Sequence, residues 1–549
     1  MAGRELDQAA LISALSATLS DPSRDPHPAG AVERIETHIS HVLLAGDYAY
    51  KIKKPVNLGF LDFTTLAARR FYCQEELRLN RRLAPQLYLE VVAVCGPEDE
   101  PRFGAGDEAG AIEYAVKMRR FPQAALYDRL AASGEIGSRH IDALADVIAG
   151  FHLRIPACGA RDAYGSAGAI EAPMLENFRQ IRALLGPQPA AGRLAALERI
   201  EAWSRARHTA LLPVFEARRE GGFVRECHGD LHLGNVAWID GAAVPFDGIE
   251  FDANLRWVDV MSEIAFLVMD LQARGRDDLA HRFLNAYLEA TGDHAGLEVF
   301  DAYRVYRAMV RAKIAAIRAG QAGAGEQVPA QAELDAHLAL AQRLIAPRKP
   351  VLAVMHGPSG SGKTLVSQAL LEAGGMVRLR SDVERKRLAG LAAVVRSSSG
   401  LDRGLYREEA TRATYQELLR LARRVLAAGW PVVADAACLR RWQRELFRSL
   451  ATELHLPWLI VACGADPALL RERVAQRSST GRDASDADLA VLERQLGSAE
   501  ALADDEPAIS VDTGNEPTAS SVARILAALM QGYVLGDDKP SSSSSATRS

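Results

Sequence analysis

From residue 31 to about 95, apolar and polar positions alternate as in strands, take up a helical spacing, and then alternate again. The stretch HVLLAGDYAYKIKK (41–54) predicts a β-hairpin turning at Ala45-Gly46-Asp47. LAARRFYCQEELRLNRRLAP (66–85) carries apolar residues at helical spacing and predicts a helix that stops at Pro85. YLEVVAVCG and AIEYAVKMRRF predict two further strands, and a short helix followed by a Pro/Asp loop is expected within residues 1–30. Beyond residue 121 helical stretches dominate, interrupted by a strand-rich segment at 224–251. RAGQAGAGEQVPAQ (318–331) is rich in Gly, Ala and Gln and predicts a loop, with a helix after it that ends at APRKP. From Val351 the pattern changes. VLAVMHG, MVRLRSD, WPVVADA, PWLIVACG and AISVDTG are short apolar runs separated by helical stretches, the alternation of a parallel α/β sheet.

Length turns this pattern into domains: 549 residues exceed one ordinary core. The predicted division is 1–345 (core about 35–320), 346–535, and a polar, serine-rich tail at 536–549 expected to be disordered. At 48% hydrophobic and 25% charged the composition is that of a globular protein, and the net charge of −5 argues against a broad nucleic-acid surface. None of the six cysteines forms a CxxC pair, so neither a zinc ribbon nor a disulfide framework is indicated. The mixed N-terminus does not read as a signal peptide, and no apolar run of about 18 residues suggests a membrane span. A cytoplasmic location is expected, and the oligomeric state is not legible.

The first stretch with chemistry is CHGDLHLGNV (227–236). Phosphoryl transfer from ATP needs a carboxylate at the acceptor hydroxyl, oxygen ligands for Mg²⁺, and a lysine on the phosphates. In the protein-kinase pattern the catalytic Asp precedes a metal-binding Asn by five residues, and a second metal-binding Asp follows. Asp230 and Asn235 have that spacing, and a predicted hairpin at VAWIDGAAVPFD would return Asp247 to Asn235. For the lysine, Lys51 and Lys53 lie two apart on one strand face; Lys51 is favoured. Its ion-pair partner is Glu75 or Glu76, with Glu76 preferred. No GxGxxG loop precedes the lysine, so another chemistry, with Ser40 as candidate, must meet the phosphates there. His228 is expected to order the loop.

The second is HGPSGSGKT (356–364), a match to GxxxxGK[ST] between an apolar strand and a helix. Gly357, Pro358, Ser359, Gly360, Ser361 and Gly362 form the loop, whose backbone N–H groups would wrap phosphate. Lys363 would reach the β/γ-phosphates and Thr364 would hold Mg²⁺. Asp382, in RLRSDVERKRL, is a candidate to take the acceptor's proton; the alternative is that Ser381 or Asp382 caps a helix. Asp435 ends a strand where a Walker B carboxylate would approach Mg²⁺. Arg473 and Arg477, on a helix entering a polar loop, are candidates to neutralise transferred phosphate.

Over roughly 35–320, HGDLHLGN and FDGIEF resemble the aminoglycoside phosphotransferase family. That resemblance implies an α+β protein-kinase-like fold with a small β-rich N-lobe and a helical C-lobe. GDYAYKIKKPVNLGFLDF is more elaborate than in the drug-modifying members of that family. Over about 350–530 the chain resembles zeta-toxin-like and small-molecule P-loop kinases, which implies an α/β P-loop NTPase fold; mechanical AAA-type ATPases fit less well. Together they imply an ATP- and Mg²⁺-dependent, bifunctional phosphotransferase acting on small-molecule hydroxyls. The competing expectation is a P-loop switch joined to a non-catalytic kinase-like binding module, and a third is a toxin-like kinase of a nucleotide sugar.

Overall fold

The computed structural model describes residues 7–21, 31–59, 61–104, 110–159, 162–186, 191–321, 324–391, 407–480 and 488–531. The expected disordered tail lies outside them. The chain divides into two compact units: residues 1–287 with 298–346, and residues 288–297 with 347–549.

The first unit opens with helix α1 (Gln8–Ser20) and a six-stranded antiparallel sheet. Its strands are β1 (Glu33–Glu36), β2 (Ser40–Ala45), β3 (Tyr48–Lys53), β4 (Tyr88–Cys95), β5 (Arg102–Gly104) and β6 (Glu113–Arg119), in the order β1-β2-β3-β6-β4-β5, with helix α2 (Leu66–Asn80) between β3 and β4. The predicted hairpin is β2–β3, with Ala45 opposite Tyr48. Period-two alternation sorts β3 between two faces. Tyr50 and Ile52 pack with Leu11, Leu15 and Leu19 of α1. Lys51 and Lys53 face the other way, toward α2. Helix α2 ends at Asn80, five residues short of Pro85, and residues 81–83 form a turn.

The helical part contains α3 (Tyr127–Ala132), α4 (Ser138–Arg154), α5 (Ala167–Leu184), α6 (Ala191–Glu220), a short α7 (Ala253–Arg256), α8 (Val260–Ala273), α9 (Asp277–Thr291), α10 (Leu297–Gln321) and α11 (Ala324–Leu344). Two small antiparallel pairs interrupt it: β7 (Val224–Glu226) with β10 (Trp257–Asp259), and the hairpin β8 (Val236–Ile239)–β9 (Ala242–Pro245). Here the loop predicted at 318–331 is corrected. Its first residues finish α10 and its last begin α11. Leu334, Leu338 and Ala341 of α11 are buried with Leu197 and Ile200 of α6 and Phe266 and Met269 of α8. Arg193 and Asp335 join α6 to α11 at 2.6 and 2.7 Å. Burial of that apolar face overrides the weak local signal of a Gly- and Gln-rich stretch.

The second unit holds a five-stranded, all-parallel sheet of β11 (Leu352–His356), β12 (Val377–Arg380), β13 (Val432–Asp435), β14 (Trp458–Gly464) and β15 (Ala508–Asp512), in the order β12-β13-β11-β14-β15. All five coincide with the predicted runs. Helices α12 (Lys363–Gly374), α13 (Ser381–Leu388), α14 (Glu408–Ala427), α15 (Arg441–Glu453), α16 (Pro467–Thr480), α17 (Leu489–Ser498) and α18 (Thr518–Met530) connect and cover the strands. The order brings the C-terminal ends of β11, β12 and β13 side by side, where open α/β sheets bind ligands. Among the described residues no helix is long and apolar enough to cross a membrane.

Candidate active sites

In the first unit four segments converge. From β3, Lys51 donates to Glu76 of α2 at 2.8 Å and to Asp247, just after β9, at 2.5 Å. Lys53 donates to the other Glu76 oxygen at 2.7 Å and to Glu250. Glu75, the alternative partner, bonds Arg78 instead. Both lysines therefore share Glu76, but their surroundings differ. The Lys53 side chain is fully buried, whereas Lys51 meets Asp247, whose side chain is 44% exposed. Burial resists ionisation of Glu76, yet Lys51 and Lys53 outweigh it and hold the carboxyl at about 2. Burial also opposes the charge on Lys51, and Asp247, Glu76 and Glu250 reverse that, holding its ammonium well above the usual value. Two ammonium groups face three carboxylates, so one negative charge is in surplus. Burial raises the pKa of Glu250 above its usual value; Lys53 opposes that rise, and Glu76 adds to it. Asp247 carries charge to the open side, where a cation would be received.

The hairpin prediction for Asp247 rests on local chemistry. Asp240 and Gly241 sit at φ 50° and 78°, the pair of positive values a tight hairpin turn requires, and the Phe246 N–H reaches the Asn235 carbonyl at 2.9 Å. The Asn235 amide donates to the backbone and carboxylate of Asp230 at 3.0 and 3.1 Å. Its side-chain oxygen is then the atom it can offer, and with the Asp247 carboxylate makes a hard-oxygen set suited to Mg²⁺. The His228 Nε2 meets the Phe246 carbonyl at 2.8 Å, tying the loop to the end of β9. At Gly229, φ is 88° and an added Cβ would lie 2.9 Å from the Leu255 carbonyl oxygen, so the turn excludes a side chain.

Several residues that hold this loop escaped the sequence reading. Glu263 accepts the His228 and Gly229 N–H groups at 2.7 and 2.9 Å, and Asp270 accepts that of Leu233 at 2.9 Å. Both acids are buried on α8, in an otherwise largely apolar run, which was the available signal. Arg307 donates to the Gly229 carbonyl at 3.2 Å. The His232 Nδ1 accepts from Gly234, which turns its Nε2 to the Asp230 carboxylate at 3.4 Å. Burial opposes ionisation of Asp230, but His232, His228 and Arg307 overcome it and hold the carboxyl well below its usual range. Ser40 is placed differently from its expected phosphate role: its side chain is fully buried opposite Lys53, with no hydrogen-bond partner among the described residues.

In the second unit the phosphate loop joins β11 to α12. Gly357 has φ 138°, and a Cβ there would lie 2.3 Å from the Cys463 carbonyl oxygen, so only glycine permits this approach of the loop to β14. Helix α12 starts at Lys363, directly after Gly362. Lys363 donates to the Pro358 carbonyl at 2.7 Å, and the Ser359 N–H donates to Gln495 of α17, an unforeseen contact, at 2.7 Å. A cavity of about 410 Å³ lies against the loop, and Ser359, Lys363, Thr364, Asp382, Asp435 and Arg473 are on its wall. Asp435 is buried and accepts from Ser367 of α12 at 2.9 Å. Arg380, not Ser381 or Asp382, stands at the N-cap of α13 and makes no side-chain cap bond; Asp382 instead meets Arg385 at 3.2 Å. Arg473 donates to the Gly360 carbonyl at 3.2 Å and to Thr513 at 2.9 Å, bracing the phosphate loop against the end of β15. The side chain of Arg477 lies outside the described residues.

Residues 70–308 match the model of the phosphotransferase enzyme family, and residues 352–502 match that of an AAA domain. The protein thus joins a protein-kinase-like phosphotransferase domain to a P-loop domain with a parallel sheet. It is 31% identical over 470 residues to uncharacterized proteins of Mycobacterium tuberculosis and Mycobacterium bovis, an alignment covering 85% of this chain and 91% of theirs. The chain belongs to the family of these mycobacterial proteins. Among solved structures, it is similar to a choline/ethanolamine kinase family protein from Mesorhizobium loti, at 13% identity and a TM-score of 0.35 over 61% of this chain and 99% of the other. It is also similar to a gluconokinase from Sinorhizobium meliloti, at 24% identity and a TM-score of 0.24 over 34% and 94%.

Proposed function

We propose that the protein is a bifunctional, ATP-dependent phosphotransferase, each unit moving the γ-phosphoryl group of ATP to the hydroxyl of a small molecule. The observation that carries this reading is the convergence of Lys51, Glu76 and Asp247 beside the Asp230–Asn235 pair. In the first unit Lys51, ordered by Glu76, contacts the phosphates, while Lys53 and Glu250 hold the pair from behind. Asn235 and Asp247 hold Mg²⁺, which when bound draws charge off the phosphates. Asp230 orients the acceptor hydroxyl and receives its proton; the low pKa keeps it ionised and ready to accept a hydrogen bond. In the second unit the loop 357–362 and Lys363 hold phosphate, Thr364 and Asp435 serve the metal, and Asp382 takes the acceptor proton.

The test is acceptor-dependent ADP release with crossed variants. Lys363→Ala should silence transfer by the second unit and spare the first; Asp230→Ala should do the reverse. One substitution that silences both would indicate a single composite site. Turnover that depends on no acceptor would instead make the P-loop unit an ATPase switch and the kinase-like unit a binding module.

A further inference from the structure

We infer that Asn80 and Tyr88 are positioning residues of the first site: they fix the backbone at Asp247 so that its carboxylate stands beside Lys51, on the side where the metal is received. This rests on the proposed role of Asp247 as an Mg²⁺ ligand.

Asp247 has φ 62°. That left-handed conformation is uncommon for a residue with a side chain. Asp240 reaches φ 50° inside the tight β8–β9 turn, which demands it, whereas residues 246–250 carry no turn or regular element. The conformation at Asp247 is held instead by a run of four N–H groups, each of which finds an acceptor. Phe246 donates to the Asn235 carbonyl at 2.9 Å and Ile249 to the His228 carbonyl at 2.9 Å, both in the 227–236 loop. Between them, Asp247 donates to the Tyr88 hydroxyl at 3.0 Å and Gly248 to the Asn80 side-chain oxygen at 2.7 Å. The outer two bonds tie the segment to the loop; the inner two tie it to the end of α2 and the start of β4. A Cβ at Gly248 would lie 3.1 Å from the His228 carbonyl oxygen and 3.4 Å from the Asn80 oxygen, so the segment packs closely against both.

The two side chains are themselves fixed. Asn80 and Tyr88 are buried. The Asn80 amide nitrogen donates to the Glu76 carbonyl at 2.9 Å, which turns its oxygen to Gly248. Glu76 lies one turn earlier on the same helix, so the residue that orders Lys51 and the residue that holds Gly248 share one face of α2. The Ala84 N–H reaches the Asn80 carbonyl at 2.8 Å, and the Tyr88 N–H reaches the Ala84 carbonyl at 3.2 Å, so the connection from α2 to β4 ties the two positions together. Without either acceptor, one N–H loses its partner and a strained backbone loses a restraint. Both losses favour the return of residue 247 to an ordinary conformation, with its carboxylate turned from Lys51.

The experiment follows hydrogen exchange in the full chain. The 227–236 peptide reports occupancy of the first site by a non-hydrolysable ATP analogue, and Mg²⁺ is titrated at a fixed analogue concentration. Tyr88→Phe removes only the hydroxyl, and Asn80→Ala the amide. Each should raise the Mg²⁺ concentration for half-protection about tenfold and leave protection by the analogue without Mg²⁺ unchanged. Each should also speed exchange of the 245–250 peptide before any ligand is added. Asp247→Ala should raise the Mg²⁺ requirement at least as far, and adding Tyr88→Phe to it should change nothing more, because Tyr88 acts through Asp247. An unchanged Mg²⁺ requirement in Tyr88→Phe overturns the inference. So does a further loss on the Asp247→Ala background, which would make the hydroxyl a general prop of the fold. Should Asn80→Ala fail to fold, Tyr88→Phe decides alone. If Asp247→Ala itself leaves the Mg²⁺ requirement unchanged, the metal role of Asp247 in the proposed function fails, and the inference with it.

Discussion

Replacing Lys53 by Met should destabilise the first unit by an amount that depends on pH. Lys53 is fully buried and neutralises Glu250, itself only 4% exposed, while sharing Glu76 with Lys51. Methionine keeps most of the volume and removes the charge, leaving Glu250 buried beside Glu76. The cheapest escape for Glu250 is to take up a proton. From an ordinary value of 4.5, protonation at pH 7 costs about 3.4 kcal/mol, since each pH unit is worth about 1.36 kcal/mol. This falls within the roughly 3–5 kcal/mol expected when one partner of a buried ion pair is removed. In the variant the folded-state pKa of Glu250 lies above its unfolded value. That state is therefore favoured below the unfolded pKa and weakened as pH rises through the folded one. The penalty should accordingly shrink to about 1.4 kcal/mol at pH 5.5. Amide exchange of the full chain reads this directly, because β2–β3 and β11–β14 peptides are followed separately. At pH 7 the first set should exchange roughly 10²-fold faster after correction for intrinsic rates, and the second should be unchanged. Adding Glu250→Gln should recover part of the loss. Unchanged β2–β3 exchange, a penalty that does not fall with pH, or a double variant no better than the single one would refute this account of the Lys53 network.

Asp247→Ala should weaken Mg·ATP binding to the first unit, whereas Asp230→Asn should leave it nearly intact and lower turnover by roughly 10²–10⁴; equal loss of nucleotide affinity in both, read by titration, would overturn the division of roles. Lys51→Met should lose first-site turnover while destabilising the fold less than Lys53→Met, because Lys51 lies at the open side; activity and melting on the same two variants check it. Glu76, held at about 2 against an ordinary 4.5, contributes stability that is present above pH 4.5 and lost as pH falls toward 2, so denaturant titrations between pH 5 and 2.5 should show a shallower decline in Glu76→Gln.

The motifs were legible because their chemistry is local. Five residues separate Asp230 from Asn235, and the Asp240-Gly241 turn returns Asp247 to its neighbour within a single hairpin. The phosphate loop is a strand, a glycine-rich turn and a helix start in unbroken succession, and the five parallel strands are continuous apolar runs because both faces of such a sheet are covered. At 318–331 the same method failed. The helix that begins there, α11, is held through Leu334, Leu338 and Ala341 against residues of α6 and α8 that lie more than a hundred and more than sixty positions earlier, beyond the reach of any local pattern.

Sequence alone determined which residue types stand at which spacing along each segment, and so the two kinds of phosphate chemistry the chain can carry. Only the tertiary structure decided what faces what. On β3 the alternation puts Lys51 and Lys53 on one face, but it is the approach of α2 and of the 247–250 segment that gives Lys51 to the open side and seals Lys53 beneath it. Tertiary packing likewise chose Glu76 over Glu75, buried the Ser40 side chain, set Glu263 and Asp270 under the 227–236 loop, and joined Arg473 to Gly360 and Thr513. The reason is one of range. Backbone geometry and turn chemistry act over a few residues, whereas the burial of a charge obliges it to find a partner wherever in the chain that partner lies.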